Sequence, residues 1–428
     1  MHLISLNITD ILLNLLRGNL DRGAHDNSED WDWAVLVGDF WDSSGKVVEQ
    51  MRRYLPGSFD RPPRNPASKI SSGYKAREYL SYVYGMLPGL LVGVLPDEHH
   101  KNFCLLLRGI RLILQRQITK EEIKLAHESL VTFCLEFEAL YVQRNPECVH
   151  FVRYCIHNLI HLGPETIRIG PLCLLAQWTM ERAIGYLTEE LRQPSNPYHN
   201  LSERGLRRAQ VNALNAMVGD LEPEPSPPAN SIDFGDGYLL MAPKGEISTM
   251  DEGECKAFTD FLRSTGQEIS GQNVRVKTAP WARLLLPTGQ IARTGWKELA
   301  KSEDVPLRIS RMVKMRVGET TKFGEVAYFF QAPVRGTNTA LAMISMCDEP
   351  HQGLLSESYG MLCVTKWTTG SNLAVVEAKS IESVVAFLPF EQIPGHYFLF
   401  EDFGLDVALL SADSYTTDTS TADVATDS

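Results

Sequence analysis

The hydrophobic positions of this chain follow two different rhythms. In the first half they recur every three to four residues. Leu3, Leu6, Ile11, Leu12, Leu15 and Leu16 do so at the start, which predicts an amphipathic helix over residues 1–20. The same period returns from Tyr74 to about Met217 in REYLSYVYGML, HKNFCLLLRGIRLILQ, EEIKLAHESLVTFCLEFEALYV, HFVRYCIHNLIHL, PLCLLAQWTMERAIGYLTEELR and SERGLRRAQVNALNAMV. Thr119 followed by Glu122 has the form of a capping box, and Ser202 is a second predicted N-cap. Pro96, Pro146, Pro164 and Pro194 mark the breaks. Residues 21–72 read as polar and turn-rich around one apolar island, WDWAVLVGDFW. Within them and just beyond, YLPGSFDRPPRNPASKISSGY (54–74) holds too much Pro, Gly and Ser for a regular element and predicts an extended, ordered or semi-ordered loop.

The second rhythm begins after GDLEPEPSPPANS (219–231), a Pro- and acid-rich stretch that reads as a linker. NVRVKTAPWARLLLP, FGEVAYFFQAPV, TALAMISMC, LAVVEAKSIESVVAFLPF and HYFLFEDF are short β-branched and aromatic runs separated by turn residues, preceded by one predicted helix, EGECKAFTDFLRSTG. The final SADSYTTDTSTADVATDS is acidic and of low complexity, the composition of a disordered tail. The expected fold class is therefore α+β and multidomain. It comprises a start helix and loop (1–73), a helical region (74–218), a linker (219–231), a smaller β-rich domain (232–410) and an acidic tail (411–428).

A hydrophobic content of 44% supports a sizeable core over 428 residues. The longest apolar run, MLPGLLVGVLP (86–96), is too short to span a bilayer and is broken by Gly and Pro, so no membrane association is expected. The N-terminus lacks a basic start and a small-residue cleavage site, which argues against a secretory leader. Eight cysteines without a CxxC pair suit a reducing compartment, cytosol or nucleus. A net charge of −12 argues against a surface that binds nucleic acid throughout, but residues 275–322 carry eleven Lys/Arg against four Asp/Glu. That stretch is either a solvated face or a local phosphate contact, with Arg308, Arg311, Lys314 and Arg316 as the DNA-binding candidates.

The densest chemistry lies in CVHFVRYCIHNLIHLGPETIRIGPLCLLAQWTMERAIGYL (148–187). His157 and His161 stand four apart, a spacing that suits zinc, with Cys148, His150 and Cys155 nearby. No CxxC, HExxH or second ligand pair accompanies them, and satisfied or surface histidines are the competing reading. Glu181 follows Trp178 and Met180 and precedes Ala183 and Ile184. An acid buried in such company needs a cation, for which Arg168 and Arg182 are close in sequence, or else it serves a metal or a proton. Phosphate-binding glycine loops, dinucleotide fingerprints and nucleophile elbows are absent from the sequence, so no nucleotide cofactor is expected.

Several long segments, in order, resemble the C-terminal part of a CACTA-type (En/Spm-like) DNA transposase of the fungal kind. They are MHLISLNITDILLNLLRG (1–18), YLPGSFDRPPRNPASKISSGYKAREYL (54–80), GVLPDEHHKNFCLLLRGIRLIL (93–114), HNLIHLGPETIRIGPLCLLAQWTMERAIGYL (157–187), SNPYHNLSERGLRRAQVNA (195–213), KFGEVAYFFQ (322–331) and IESVVAFLPF (381–390). The resemblance implies a ribonuclease-H-like nuclease whose acidic triad holds two Mg²⁺ ions about 3.5–4 Å apart to cut and transfer DNA strands. It implies nuclear localisation, DNA as partner and assembly into a homo-oligomer. It matches Glu181 to the last acid of the triad and assigns His157 and His161 no catalytic role. The family's two aspartates belong on strands upstream of the helical region, and the resemblance places both before Met1. Asp10, Asp21 and Asp26 lack that strand context. The expectation is an incomplete ribonuclease-H-like core that by itself neither cuts nor joins DNA, a truncated or mis-delimited transposase or its remnant. A non-catalytic module, with the β-rich domain and its Tyr328, Phe329 and Phe330 as an interaction surface, is the alternative. The genomic DNA upstream of the Met1 codon separates the two versions of the first reading. An in-frame continuation with two strand-borne aspartates restores the enzyme, and a stop codon with nothing recognisable beyond it marks a remnant.

Overall fold

The computed structural model describes residues 2–21, 23–191, 195–218, 221, 227–267, 276–301 and 307–402. The expected acidic tail lies outside them, as does most of the expected linker. The architecture is mixed, with helices through residue 217 and an antiparallel sheet beyond.

The first helical stretch, Leu3–Ile8 continuing as Thr9–Leu16, buries Ile4, Ile8, Ile11, Leu12, Leu15 and Leu16. The region expected to be loop holds a helix that the sequence reading missed, Gly38–Met51. Its buried stripe is Trp41, Ser44, Gly45, Val48 and Met51, so two of its five inward positions are not apolar. Gly45 is there for space: a Cβ would stand 2.3 Å from Asn65 Oδ1 and 2.8 Å from Ala67 Cβ.

The Pro/Gly-rich loop after it is ordered by a buried acid. Glu78 accepts from Arg64 Nε (2.7 Å), Arg64 Nη2 (2.8 Å), the Arg64 amide (3.2 Å) and the Lys75 amide (3.0 Å). Burial works to raise its pKa, but these bonds, the Arg64 guanidinium foremost, hold it below the ordinary carboxylate value. Tyr74 OH donates to Arg64 O (2.9 Å) and closes the loop.

The chain then enters one continuous helix, Ala76–Tyr79, Leu80–Met86 and Leu87–Leu90, with a wide π-type middle. It lies at the centre of the molecule. Asp97–Ile113 and Lys120–Phe137 pack against each other beside it. The second of these starts with the expected capping box: the Glu122 amide donates to Thr119 Oγ1 (3.1 Å) and the Thr119 amide to Glu122 (2.7 Å). Ser202, by contrast, lies inside Pro197–Met217, whose N-cap is Asn196. Pro164 sits in the first turn of Leu162–Ile169, where a missing N–H is tolerated, and is no break.

The strands are β1 Ile232–Asp233, β2 Leu239–Lys244, β3 Ser248–Thr249, β4 Lys277–Thr278, β5 Trp281–Leu285, β6 Ile291–Ala292, β7 Met312–Val317, β8 Thr320–Val334, β9 Thr337–Met346, β10 Val364–Lys366, β11 Leu373–Glu377, β12 Ile381–Phe390 and β13 His396–Glu401. The main sheet runs β1-β2-β5-β8-β7-β12-β13-β10, with β9 on the other edge of β8 and β11 on β9. The 15-residue β8 organises it, pairing with β7 through its first half, with β9 from Gly324 to Val334 and with β5 at Trp281↔Phe329. A bulge between Val326 and Tyr328 resets the alternation. Phe329 and Phe330, beyond the bulge, point to opposite faces, and both are buried because both faces are covered: Phe329 joins one cluster of the sheet, and Phe330 faces Phe258 of the helix Glu252–Ser264. Gln290 bridges the sheet where backbone pairing lapses. Its Oε1 accepts from the Val384 amide (2.9 Å) and its Nε2 donates to Val384 O (3.4 Å).

Apolar packing crosses the expected boundary at 219–231, although three smaller clusters lie wholly in the sheet half. The largest apolar cluster takes in Tyr82, Tyr84, Leu87 and Leu106 from the helices together with Leu362, Ala386, Leu388, Phe398 and Phe400 from the sheet half. Contact is closest at two glycines one helical turn apart. A Cβ on Gly85 would stand 2.6–2.8 Å from the Phe400 ring, and one on Gly89 would stand 2.8–2.9 Å from the Phe398 ring. Phe398 and Phe400, two apart on β13, point to one face of the sheet and rest on bare helix backbone. Gly85→Ala and Gly89→Ala are expected to destabilise by about 1–3 kcal/mol through overpacking. Gly205→Ala, where nothing lies within 4 Å, should be neutral or stabilising by up to about 1 kcal/mol. Urea unfolding checks the sign of each.

Candidate functional site

Glu181 lies in the first turn of Trp178–Glu190, and its position overturns the expectation of burial. It is exposed, and none of Met180 to Glu190 is buried; Met180 and Ile184, beside it on the helix, are 51% and 53% exposed. Of the two cations proposed for it from sequence, Arg168 and Arg182, the first pairs with Glu165 (2.6 Å). The next helix, Pro197–Met217, packs on this one through Arg208–Glu190 (3.2 Å) and Arg208 over the Tyr186 ring. It also buries no residue, and leaves Tyr198, Leu206, Val211, Leu214 and Met217 exposed. The amphipathic pattern of both helices thus has no apolar surface among the described residues to pack on.

The residues present do not fit the Mg²⁺ pair that the resemblance implies. A two-ion site needs several carboxylates at one place. Among the described residues no group of three His, Cys, Asp or Glu side chains is arranged to hold a metal ion, and Glu181 is a single exposed acid.

The Cys/His residues of 148–161 separate in space. Cys148 Sγ donates to Asp26 Oδ2 (3.5 Å), Cys155 is buried, and His150 Nε2 lies 2.7 Å from Asp21 O. Burial pushes the Cys148 thiol pKa up to about 11, the wrong direction for a metal-binding thiolate. His157 and His161 alone meet, Nε2 to Nε2 at 3.1 Å. None of the eight cysteines forms a disulfide.

The basic stretch is internally committed. Arg308 donates from Nε to Leu55 O (2.9 Å), from Nη1 to Asp60 O (2.7 Å) and from Nη2 to Pro56 O (2.5 Å). Burial pulls its pKa down to about 10. Arg311 is buried between Glu298 (3.0 Å) and Glu325 (2.5 Å). Lys314 meets Glu401 (3.1 Å) and Glu382 (3.8 Å), and Arg316 meets Glu382 (3.0 Å). Arg308 and Arg311 are structural ties, and Lys314 and Arg316 on β7 face carboxylates. The alternative surface around Tyr328, Phe329 and Phe330 is likewise core, with Phe329 and Phe330 fully buried. Among the described residues no helix is long and apolar enough to cross a membrane.

Compared with protein-family models, with curated proteins and with solved structures, the chain matches none.

The engagement of the basic residues is directly measurable. Arg308→Met should cost about 2 kcal/mol by stranding buried carbonyls, whereas Arg316→Met, an exposed pair, should cost less than about 1 kcal/mol. Urea midpoints decide between this role and a phosphate-binding one, in which both substitutions weaken DNA binding and leave stability unchanged.

Proposed function

We propose that the chain is the C-terminal portion of a CACTA-type transposase-related protein. In this reading the helix Trp178–Glu190 is one wall of a ribonuclease-H-like nuclease site, and the chain by itself does not cut DNA. One observation carries the reading: Glu181 faces solvent in the first turn of an outer helix whose apolar residues Met180 and Ile184 are also uncovered. In a ribonuclease-H-like core, a helix bearing the last acid lays its apolar face on the sheet that bears the other acids, so that the acid meets them at the sheet's end. The uncovered face around Glu181 is what such a helix presents without its sheet. A single carboxylate does not hold the two ions that strand cleavage needs, which is why the activity belongs to the larger assembly. The nucleus is the compartment this reading implies, and DNA the substrate of the parent enzyme.

The test is a plasmid-nicking assay of the purified chain in Mg²⁺ and in Mn²⁺, run beside Glu181→Gln. Neither protein should nick above background. Nicking by the chain that disappears in Glu181→Gln would contradict the inactivity of the isolated chain. The reading as a whole is tested by adding a separately expressed ribonuclease-H-like strand region of a CACTA-type transposase. Glu181-dependent nicking should appear, and its absence with a well-folded partner bound to the chain contradicts the assignment of Glu181.

A further inference from the structure

We propose that His157 and His161 form a two-histidine chelate for a divalent first-row transition ion, zinc being the redox-inert member of that class. The geometry comes from the backbone beneath them. His157 is the penultimate residue of the short helix Tyr154–Asn158, and His161 ends the tighter turn Leu159–His161 that continues it. Cys155, Ile156 and Leu159 between and before them are buried in the main core, so the segment is anchored while both imidazoles stand exposed. The rings cross at 74° with centroids 4.9 Å apart, and the two Nε2 atoms approach to 3.1 Å.

That separation is a chelating one. With metal–nitrogen bonds of about 2.05 Å, two donors 3.1 Å apart subtend about 98° at a shared ion. Opening the pair by about 0.2 Å reaches the tetrahedral angle that zinc prefers. Imidazole nitrogen suits zinc, and the order of affinity among divalent ions places nickel and copper at the same donors. In the metal-free pair one Nε2–H donates to the lone pair of the other ring. Coordination uses both Nε2 lone pairs, so the donating ring carries its proton on Nδ1 instead. Among the described residues no third His, Cys, Asp or Glu joins the pair, which leaves the remaining positions of the ion to water or to a donor from another molecule. An open site of this kind is labile and suits recruitment or bridging more than permanent structure. It is independent of Glu181.

The probe is zinc sulfate alone, titrated into the full chain after chelator treatment and read by competition with a chromophoric chelator. With eleven histidines and eight cysteines in the chain, the comparison of variants decides the outcome. His157→Ala and His161→Ala should each weaken one zinc site at least about tenfold, since even an outer-shell partner of a ligand is typically worth 10–100-fold in affinity. The double variant should bind one zinc fewer per chain. Zinc should raise the unfolding temperature of the parent chain and leave that of the double variant unmoved, with both proteins unfolding at the same temperature in its absence. Equal stoichiometry and affinity in the parent and the double variant, or no zinc bound by either, overturns the proposal.

Discussion

The structure depends on two phenylalanine rings resting on the bare backbone of a helix. Gly85 and Gly89 leave no side chain on one face of Ala76–Leu90, and Phe398 and Phe400 of β13 occupy that space. Interiors are close-packed, so a methyl group at either glycine has nowhere to go. Other contacts gather around this seam. Arg77 pairs with Asp402 just past β13. Arg111, buried with its pKa pulled down to about 10, donates to Tyr84 O on the helix (3.3 Å) and to Met361 O on the sheet side (3.1 Å). Arg308 holds the carbonyls of Leu55, Pro56 and Asp60, and the Ile309 amide donates to Arg53 O (2.9 Å). The helical half and the sheet half thereby share the largest apolar cluster.

Local periodicity was a sound guide wherever an element buries one face. The helix Glu252–Ser264 and the strands β5, β11, β12 and β13 lie within the runs that predict them, and the helices Asp97–Ile113 and Lys120–Phe137 and the strands β8 and β9 overlap theirs but begin one to three residues earlier. It failed where small or polar residues face inward, as Ser44 and Gly45 do in Gly38–Met51. It also could not show that Gly85 and Gly89 meet residues more than three hundred positions away, because close approach leaves no hydrophobic signature at a glycine. The run MLPGLLVGVLP read only as too short and too broken to span a bilayer, and its partner is a strand at the far end of the chain.

The surroundings of the charged candidates were not legible for a related reason: charge in sequence carries no information about its counter-charge in space. Arg311 and Lys314 read as a basic stripe because their acids, Glu325 and Glu401, arrive from other strands, and Glu298 from beyond a turn. Glu181 read as a buried acid because its neighbours are apolar, but apolar neighbours on an outer helix bury nothing unless something covers them. The one pairing that was fully legible is His157 with His161, where four residues of helical chain suffice to bring two rings together.

The largest apolar cluster joins both halves of the sequence, and native-state hydrogen exchange under increasing denaturant measures that union directly. Amides of Tyr82–Leu90 and of β12 and β13 should open in a single event with one free energy and one denaturant dependence. Two separate opening events, with the sheet half remaining protected after the helix around Gly85 and Gly89 has exchanged, would contradict it.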